Sequence, residues 1–526
     1  MQSKNTPVII GIAEICDRPD GLNGDLTSAR DPLTLMRDVT QLAAEDANHN
    51  LRPDGNSTTL LSTVDSIDII NPASWTYDDL PTQLCNTLDL SPARALLRPT
   101  GGETPMQALH AAADRIAKGE SKCALIVGAE AQHSAASAMR AGVTLPWPSK
   151  AQGEPDYLAV AKYIEPRALQ LGLFLPSHVY PFYDLACAHH WGQTPGQAID
   201  ESVRLWADYA HAAQANLYSW KTDDWTAESI KTPTPKNRLI AWPYTKAQVA
   251  NPMVNQAAAI IVTNEANAHH LGVSQHQMIY ITGGAFANAP RNFMARKNFY
   301  QCPAQDVVLN AASKNASVQF DAAELYSCFP IVPKMARRTL RLADDVPLTV
   351  TGGLSFFGAP LNNYMTHATC AMVRALRGPA KINQASALKT GLLYGQGEFL
   401  TKHYAVTLSN HSSGFIGVNA GNQQSKAEAV QGTIPSFNAD ATGNAILETF
   451  TVPYDRAGHA AHAVMVVRTS LGERSLAKFI FKGPKDLAIM THAERSPIGR
   501  SGILTAGSDG VPLWVFKRGT AGANPS

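Results

Sequence analysis

An α/β fold made of two similar halves, with an inserted subdomain and a small all-β C-terminal domain, is what this sequence predicts. Three observations lead there. Apolar β-branched runs alternate with amphipathic helical patterns up to about residue 410. A glycine turn between strand and helix recurs in both halves, at Thr100-Gly-Gly-Glu-Thr-Pro105 and at Thr351-Gly-Gly-Leu-Ser355. Beyond about residue 437 the helical patterns give way to short strands at turn-separated spacing.

In the first half (1–265), Pro7 to Ile15 reads as a buried strand and Asp31-Pro32 caps a helix with Met36, Val39, Leu42 and Ala43 on one face. Val64 to Ile70 is the next strand. Pro105 to Lys118 is an alanine-rich helix closed by Gly119, and Cys123 to Gly128 is a strand. Such alternation implies parallel strands with helices on both faces. Residues 131–244 lose the pattern and carry many aromatics and prolines, including LGLFLPSHVYPFYDLACAHHW, so they form an inserted subdomain rather than a loop. Ala258 to Thr263 returns to the core pattern.

The second half (266–410) repeats the first in outline. Strands are expected at Gln277–Gly284, Ala323–Cys328, Leu348–Thr351 and Thr390–Tyr394, with helices at Gln305–Asn315, Ile331–Leu342 and Asn362–Leu376. Residues 411–436, rich in Gly, Asn, Gln and Ser, read as a linker. The remainder, 437–526, reads as a barrel-like β domain, and an OB-type barrel would fit its spacing of strands at Ala445–Val452, Ala463–Thr469, Ser475–Phe481 and Val511–Phe516.

Bulk properties exclude several classes of function. With 44 basic and 43 acidic residues the net charge is +1 and no basic cluster occurs, so nucleic acid is not an expected partner. No apolar run reaches the roughly 20 residues of a membrane helix, and the N-terminus reads as a strand rather than a leader. The seven cysteines are sparse and unclustered, as in a reducing compartment, so a cytoplasmic location is expected. The pairs His189-His190 and His269-His270 lack acidic or thiol partners at helical spacing, so they read as surface or packing residues and no metal site is expected.

Several segments, taken together and in order, resemble the thiolase superfamily. They are 104–131 (TPMQALHAAADRIAKGESKCALIVGAEA), 237–264 (NRLIAWPYTKAQVANPMVNQAAAIIVTN), 323–330 (AELYSCFP), 351–368 (TGGLSFFGAPLNNYMTHA) and 391–406 (GLLYGQGEFLTKHYAV). The likeness is specifically to the sterol-carrier-protein-type thiolases and to thiolase-like proteins of type 1, which carry an added C-terminal β domain. It implies a duplicated, five-layered fold of two βαβαβαββ halves, acyl-CoA as substrate, and no cofactor beyond coenzyme A as part of that substrate. Thiolase-fold proteins commonly dimerise across the sheet, so a homodimer is compatible, although the added domain could obstruct that surface.

The same resemblance places the nucleophilic cysteine of these enzymes at Gly102. A thiolate there would be favoured by the N-terminus of the following helix, but no cysteine lies between Cys85 and Cys123. Two histidine positions are also changed. The His-Asp-Cys-Phe pattern reads Tyr326-Ser327-Cys328-Phe329, and the Gly-His-Pro pattern reads Gly358-Ala359-Pro360. Covalent acyl transfer at residue 102 is thereby excluded.

Cys328 and Tyr326 remain as candidate proton-transfer groups, with a buried hydrophobe and a satisfied packing hydroxyl as their plainer alternatives. Backbone N–H groups near Gly102 and Gly395 are expected to form an oxyanion site, Asn362, Asn363 and His367 to project toward the same cavity, and Glu103 and Gly358 to join them in binding the substrate or its CoA. Three functions are compatible: acyltransferase-class chemistry without a covalent intermediate, resembling an acetyl-CoA acetyltransferase; retro-aldol cleavage of a 3-hydroxyacyl-CoA; and non-catalytic binding of CoA esters.

Overall fold

The computed structural model describes residues 5–18, 26, 28–48, 60–148, 156–316, 319–343, 345–378 and 388–517. β1 (Pro7–Cys16) is buried along its first eight residues, as an apolar run covered on both faces must be. Around it forms a nine-stranded sheet with β2 (Ser66–Ile70), β3 (Arg94–Arg98), β4 (Cys123–Ala131), β7 (Asn255–Asn264), β8 (Ile279–Asn288), β9 (Ala322–Leu325), β10 (Thr390–Gly397) and β11 (Lys402–Ser409). β5 (Leu239–Trp242) and β6 (Tyr244–Thr245) stand outside it, in the inserted region.

The sheet order, β3-β2-β4-β7-β1-β8-β11-β10-β9, makes the duplication visible. The first half runs inward as third, second, fourth, fifth and first strand. The second half runs outward as first, fifth, fourth and second. Within the sheet the described residues of the two halves join through Val8–Tyr280 and Ile9–Ile279 of β1 and β8. Two central helices, Thr104–Lys118 and Tyr364–Arg377, pack on each other and on strands of both halves. Pro32–Asn48 covers the outer face of the first half and Pro303–Ala316 that of the second, which gives the five layers.

The expected strand Leu348–Thr351 takes a different form. Ala323 N and Leu325 N of β9 donate to the Pro347 and Leu348 carbonyls, so the segment lies where a third strand belongs. Its next amides turn away. Val350 N and Thr351 N donate to the buried carboxylate of Glu324 at 2.8 and 3.1 Å, and this side-chain acceptor replaces the ladder. The expected strand Ala323–Cys328 likewise ends at Leu325, and the expected helix from Asn362 begins at Tyr364 after one tight turn, Leu361–Asn363.

The C-terminal region forms a closed five-stranded barrel. β12 (Gly443–Pro453), β13 (His462–Thr469), β14 (Arg474–Ile480), β15 (Ser501–Thr505) and β16 (Leu513–Phe516) close in the order β12-β13-β14-β16-β15-β12. Only β14 and β16 pair in parallel, and the helix Pro484–Met490 lies between β14 and β15 in the chain. The sequence reading missed β15 because its polar ends and glycine interrupt the apolar run. Residues 411–436, read as a linker, include helices Val418–Gly421 and Gln424–Gln431, and Ile416 N and Gln423 N donate to Thr282 and Phe286 carbonyls of β8.

Strand pairing and a buried arginine are among the contacts that fasten the barrel to the body. β5 of the inserted region pairs with β12 through Trp242–Val452 and Ala241–Pro453. On the other side the fully buried Arg474 donates to the carbonyls of Met294 and Arg296 at 2.7 and 2.5 Å and to Glu448 at 2.7 Å. Truncating one partner of such a buried set leaves carbonyls and a carboxylate unpaired. Arg474→Ala is therefore expected to destabilise the protein by roughly 3–5 kcal/mol, and calorimetry should separate a barrel transition from that of the body.

Candidate functional site

A cavity of about 610 Å³ opens where the two halves, the inserted subdomain and the loop after β10 meet. That size suits a small organic ligand. Phe174, Leu175, Val249, Phe329, Leu354 and Phe399 make its apolar wall, and Gly101, Gly102, Tyr326, Cys328, Asn362 and Gln396 bring polar atoms to it.

The geometry at Gly102 explains the glycine. A Cβ there would lie 2.4 Å from Tyr326 Oη and 2.5 Å from the Gln396 carbonyl oxygen. Both distances are below any tolerable contact, and one atom is backbone. No side chain fits at residue 102 beside Tyr326 and the Gln396 carbonyl. Asn362 holds the turn in place, accepting from Gly101 N at 3.1 Å and donating to the Asn71 carbonyl at 2.8 Å.

Tyr326 and Cys328 reach the cavity because β9 stops at Leu325. Tyr326 N still donates to the Tyr394 carbonyl, which keeps the chain beside β10. The side chains then alternate: Tyr326 and Cys328 line the cavity, while Ser327 Oγ accepts from Leu354 N at 3.2 Å. Gln396 Nε2 donates to Cys328 Sγ at 3.1 Å and to Tyr180 Oη at 2.9 Å, and Tyr180 Oη donates to the Glu398 carbonyl at 3.1 Å. Burial pushes the Cys328 thiol up to about 12 and the Tyr326 phenol well above its ordinary value. Both groups are proton donors at neutral pH, not nucleophiles.

Glu103 does not line the cavity. It sits at the start of the helix Thr104–Lys118, where the helix dipole favours a carboxylate, but its side chain folds back under the turn. A Cβ on Gly101 or Gly397 would collide with Glu103 Oε2 at 2.4 or 2.0 Å, so these two glycines make its slot. Lys402 Nζ is 3.5 Å from Glu103 Oε1 and 3.2 Å from Glu398 Oε1. Burial nonetheless outweighs the lysine and raises the Glu103 carboxyl above its ordinary value. Glu398, by contrast, is held below the usual carboxylate range, because the Arg291 and Lys402 charges outweigh its partial burial.

Four of the other expected residues stand off the cavity wall. Gly395 packs against Glu103 Cα and Met365, so Gly397, two residues later, takes its expected place at the cavity. Gly358, at φ 124°, faces Gln256 and Val254. Asn363 Nδ2 donates to the Gly128 carbonyl at 2.7 Å, and His367 Nδ1 lies 2.8 Å from Glu14 Oε1, which also pairs with Arg374. These side chains tie the central helix to the first half of the sheet. Gln396, Glu398, Arg291 and Tyr180 escaped the sequence reading. Tyr180 carried a signal in its aromatic run 171–191, and Gln396 and Glu398 lie in the segment 391–406 quoted for the resemblance.

Glu130 shapes the opposite rim. Its buried carboxylate accepts from Ala73 N and Ser74 N, both at 2.8 Å, and Ala73 lines the cavity. Among the described residues no group of His, Cys, Asp and Glu could hold a metal ion, and no helix is long and apolar enough to cross a membrane.

The fold is thiolase-like, and residue 102, where the sequence resemblance puts a nucleophile, admits no side chain. More particularly, residues 426–507 match the family model of the thiolase-like protein type 1 additional C-terminal domain. A monomeric sterol-carrier-protein-2-thiolase-like protein type 1 from Mycobacterium smegmatis superposes with a TM-score of 0.78 at 24% identity, over 98% of this chain and 100% of that one. The Ltp2-ChsH2(DUF35) aldolase superposes with a TM-score of 0.56 at 17% identity, over 77% and 98% of the two chains. Human mitochondrial 3-ketoacyl-CoA thiolase in complex with CoA gives 0.53 at 15% identity, over 78% and 100%. No protein of curated function matches the chain in sequence.

Two outcomes follow from this geometry. Gly102→Ala is expected to cost about 1–3 kcal/mol of stability through overpacking, read by urea denaturation, and Tyr326→Phe in the same chain is expected to recover part of it. Burial raises the Glu130 carboxyl from 4.5 to about 7, so the folded state holds a proton that the unfolded state releases within that window. Stability therefore falls as pH rises from 4.5 to 7, and Glu130→Gln is expected to flatten the change in urea midpoint across those pH values.

Proposed function

We propose that this chain binds CoA thioesters and breaks or forms a carbon–carbon bond in them without an acyl-enzyme intermediate. Retro-aldol cleavage of a 3-hydroxyacyl-CoA is the version the site supports best. The observation that carries it is the Tyr326 hydroxyl standing where the Cβ of a nucleophile would be, protonated and at the cavity wall.

In this reaction a base takes the proton of the β-hydroxyl. The Cα–Cβ bond breaks, a carbonyl product leaves, and the electron pair passes to the thioester as an enolate. Tyr326 and the Gly102 amide stabilise that enolate by hydrogen bonding, a proton returns to Cα from Tyr326 or Cys328, and that group is reprotonated as the base gives up the proton it took. Glu398, the ionised carboxylate on the same wall, is assigned as the first acceptor. None of these steps needs a side chain at residue 102. Claisen-type condensation or cleavage with acyl transfer through a cysteine does need one, which sets acetyltransferase chemistry of the usual kind aside.

The aldolase among the structural relatives agrees with this reading at the level of fold. The barrel's strand order and its helix between third and fourth strands support an OB-type assignment.

The test is mass spectrometry of products after incubation with 3-hydroxyacyl-CoA, and separately with 3-ketoacyl-CoA plus CoA. The expected result is cleavage of the hydroxyacyl ester alone, with Tyr326→Phe losing roughly 10²–10³ in kcat, the scale of one oxyanion donor. CoA-ester binding without turnover of either substrate would leave a binding protein and overturn the proposal.

A further inference from the structure

A second cleft, of about 400 Å³, lies on the far side of the wall that encloses the acyl cavity. The segment 249–253 is shared between them. Val249, Ala250 and Pro252 line the acyl cavity, whereas Asn251 and Met253 line the second cleft. The five-residue π-turn Gly353–Phe357 is shared as well. Leu354 faces the acyl cavity, while Trp220 N and Lys221 N donate to the Phe357 and Phe356 carbonyls at 2.7 and 2.9 Å and so hang the second cleft on the same turn.

Three nitrogenous side chains converge there. Arg140 and His133 come from the helix Gln132–Ala141, and Lys221 from the segment after the helix Pro195–Ala215. None of the three is in an ion pair among the described residues. Arg140 uses Nε and Nη2 on the Ala136 carbonyl and Ser137 Oγ of its own helix turn, two of the five donors a guanidinium carries. Lys221 Nζ lies 5.9 Å from the Trp225 ring centroid and 6.0 Å from that of Phe356, with no oxygen partner, and Lys246 adds repulsion. Asp223 is the one acid on the cleft, exposed at its rim. Trp220 and His133 stand against each other with ring centroids 5.2 Å apart, which adds an aromatic wall.

Burial, with repulsion from Lys246 that the exposed Asp223 only partly offsets, lowers Lys221 to about 8, so the ammonium is held there at a cost. An anion seated in the cleft would remove that cost. An aromatic wall beside the cations adds a surface on which a base can stack.

We propose that this cleft binds the phosphoryl end of a nucleotide, with Lys221 and Arg140 holding the phosphate and Trp220 facing the base. The nucleotide is either free or the adenosine phosphate end of a CoA ester, and the chemistry of recognition is the same. The site does not depend on the carbon–carbon chemistry, since no residue of it lines the acyl cavity.

The experiment is isothermal titration of the full chain with ADP, with inorganic phosphate, and with ADP in the presence of coenzyme A. ADP is expected to bind saturably, and more tightly than inorganic phosphate. Affinity should drop roughly tenfold or more in Lys221→Met, the loss of one charged hydrogen bond, and severalfold in Arg140→Gln. Tyr326→Phe should bind ADP as the wild type does, which separates this test from that of the reaction. Competition by coenzyme A assigns the nucleotide to the CoA ester, and its absence assigns a free nucleotide. Arg140 is exposed, so Arg140→Gln folds even if Lys221→Met does not. No saturable ADP binding, or equal binding by wild type and every folded variant, overturns the proposal.

Discussion

The close approach of the Gly101–Gly102 turn to Tyr326 and to the Gln396 carbonyl is the contact on which the rest of the site depends. Three separate chain regions meet there within a space that admits no side chain at residue 102. Once that space is filled, the helix N-terminus at Thr104 has no thiolate to stabilise. The Glu103 carboxylate occupies the slot beneath the turn instead, made possible by Gly101 and Gly397. The Tyr326 phenol fills the space in front of the turn, and its protonated state follows from its burial.

The loop after β10 is held under strain by the same network. Glu398 and Leu400 both adopt left-handed backbone, at φ 58° and 59°, which side-chain-bearing residues seldom do. Arg291 and Lys402 pin the Glu398 carboxylate, and Tyr180 and Tyr183 hydroxyls hold the Glu398 and Phe399 carbonyls. Those tyrosines come from the inserted helix Pro176–His190, so the subdomain fixes one wall of the cavity. A second anchor lies behind it. Lys334 Nζ meets Asp184 Oδ1 at 2.7 Å, and Tyr244 Oη donates to Asp184 Oδ2 at 2.6 Å, all of them buried. Packing of the insert, not the glycine turn alone, keeps the cavity open and its donors aimed.

Most of the fold was legible because burial on both faces writes continuous apolar runs into β1, β4 and β7, and the repeated halves write them twice. The strand at 348–351 was misread because its β-branched residues satisfy a strand pattern while Glu324, distant in sequence, captures their amides. The site was legible in part. Glycine, tyrosine and alanine at Gly102, Tyr326 and Ala359 could be read against the thiolase pattern, and two of these side-chain positions meet in space. Gly395, Asn363 and His367 sit close by in sequence, but helix and strand geometry turns them into the interior. Glu398 and Arg291 belong to loops whose direction no periodicity encodes, so only the folded chain brings them to the wall.

The central claim is that this site works on a thioester without forming a bond to it. Intact-protein mass spectrometry after incubation with acyl-CoA, quenched in acid, measures that directly. An unchanged protein mass, together with turnover of a 3-hydroxyacyl-CoA, is the predicted result. A stable acyl adduct on Cys328 would contradict the account.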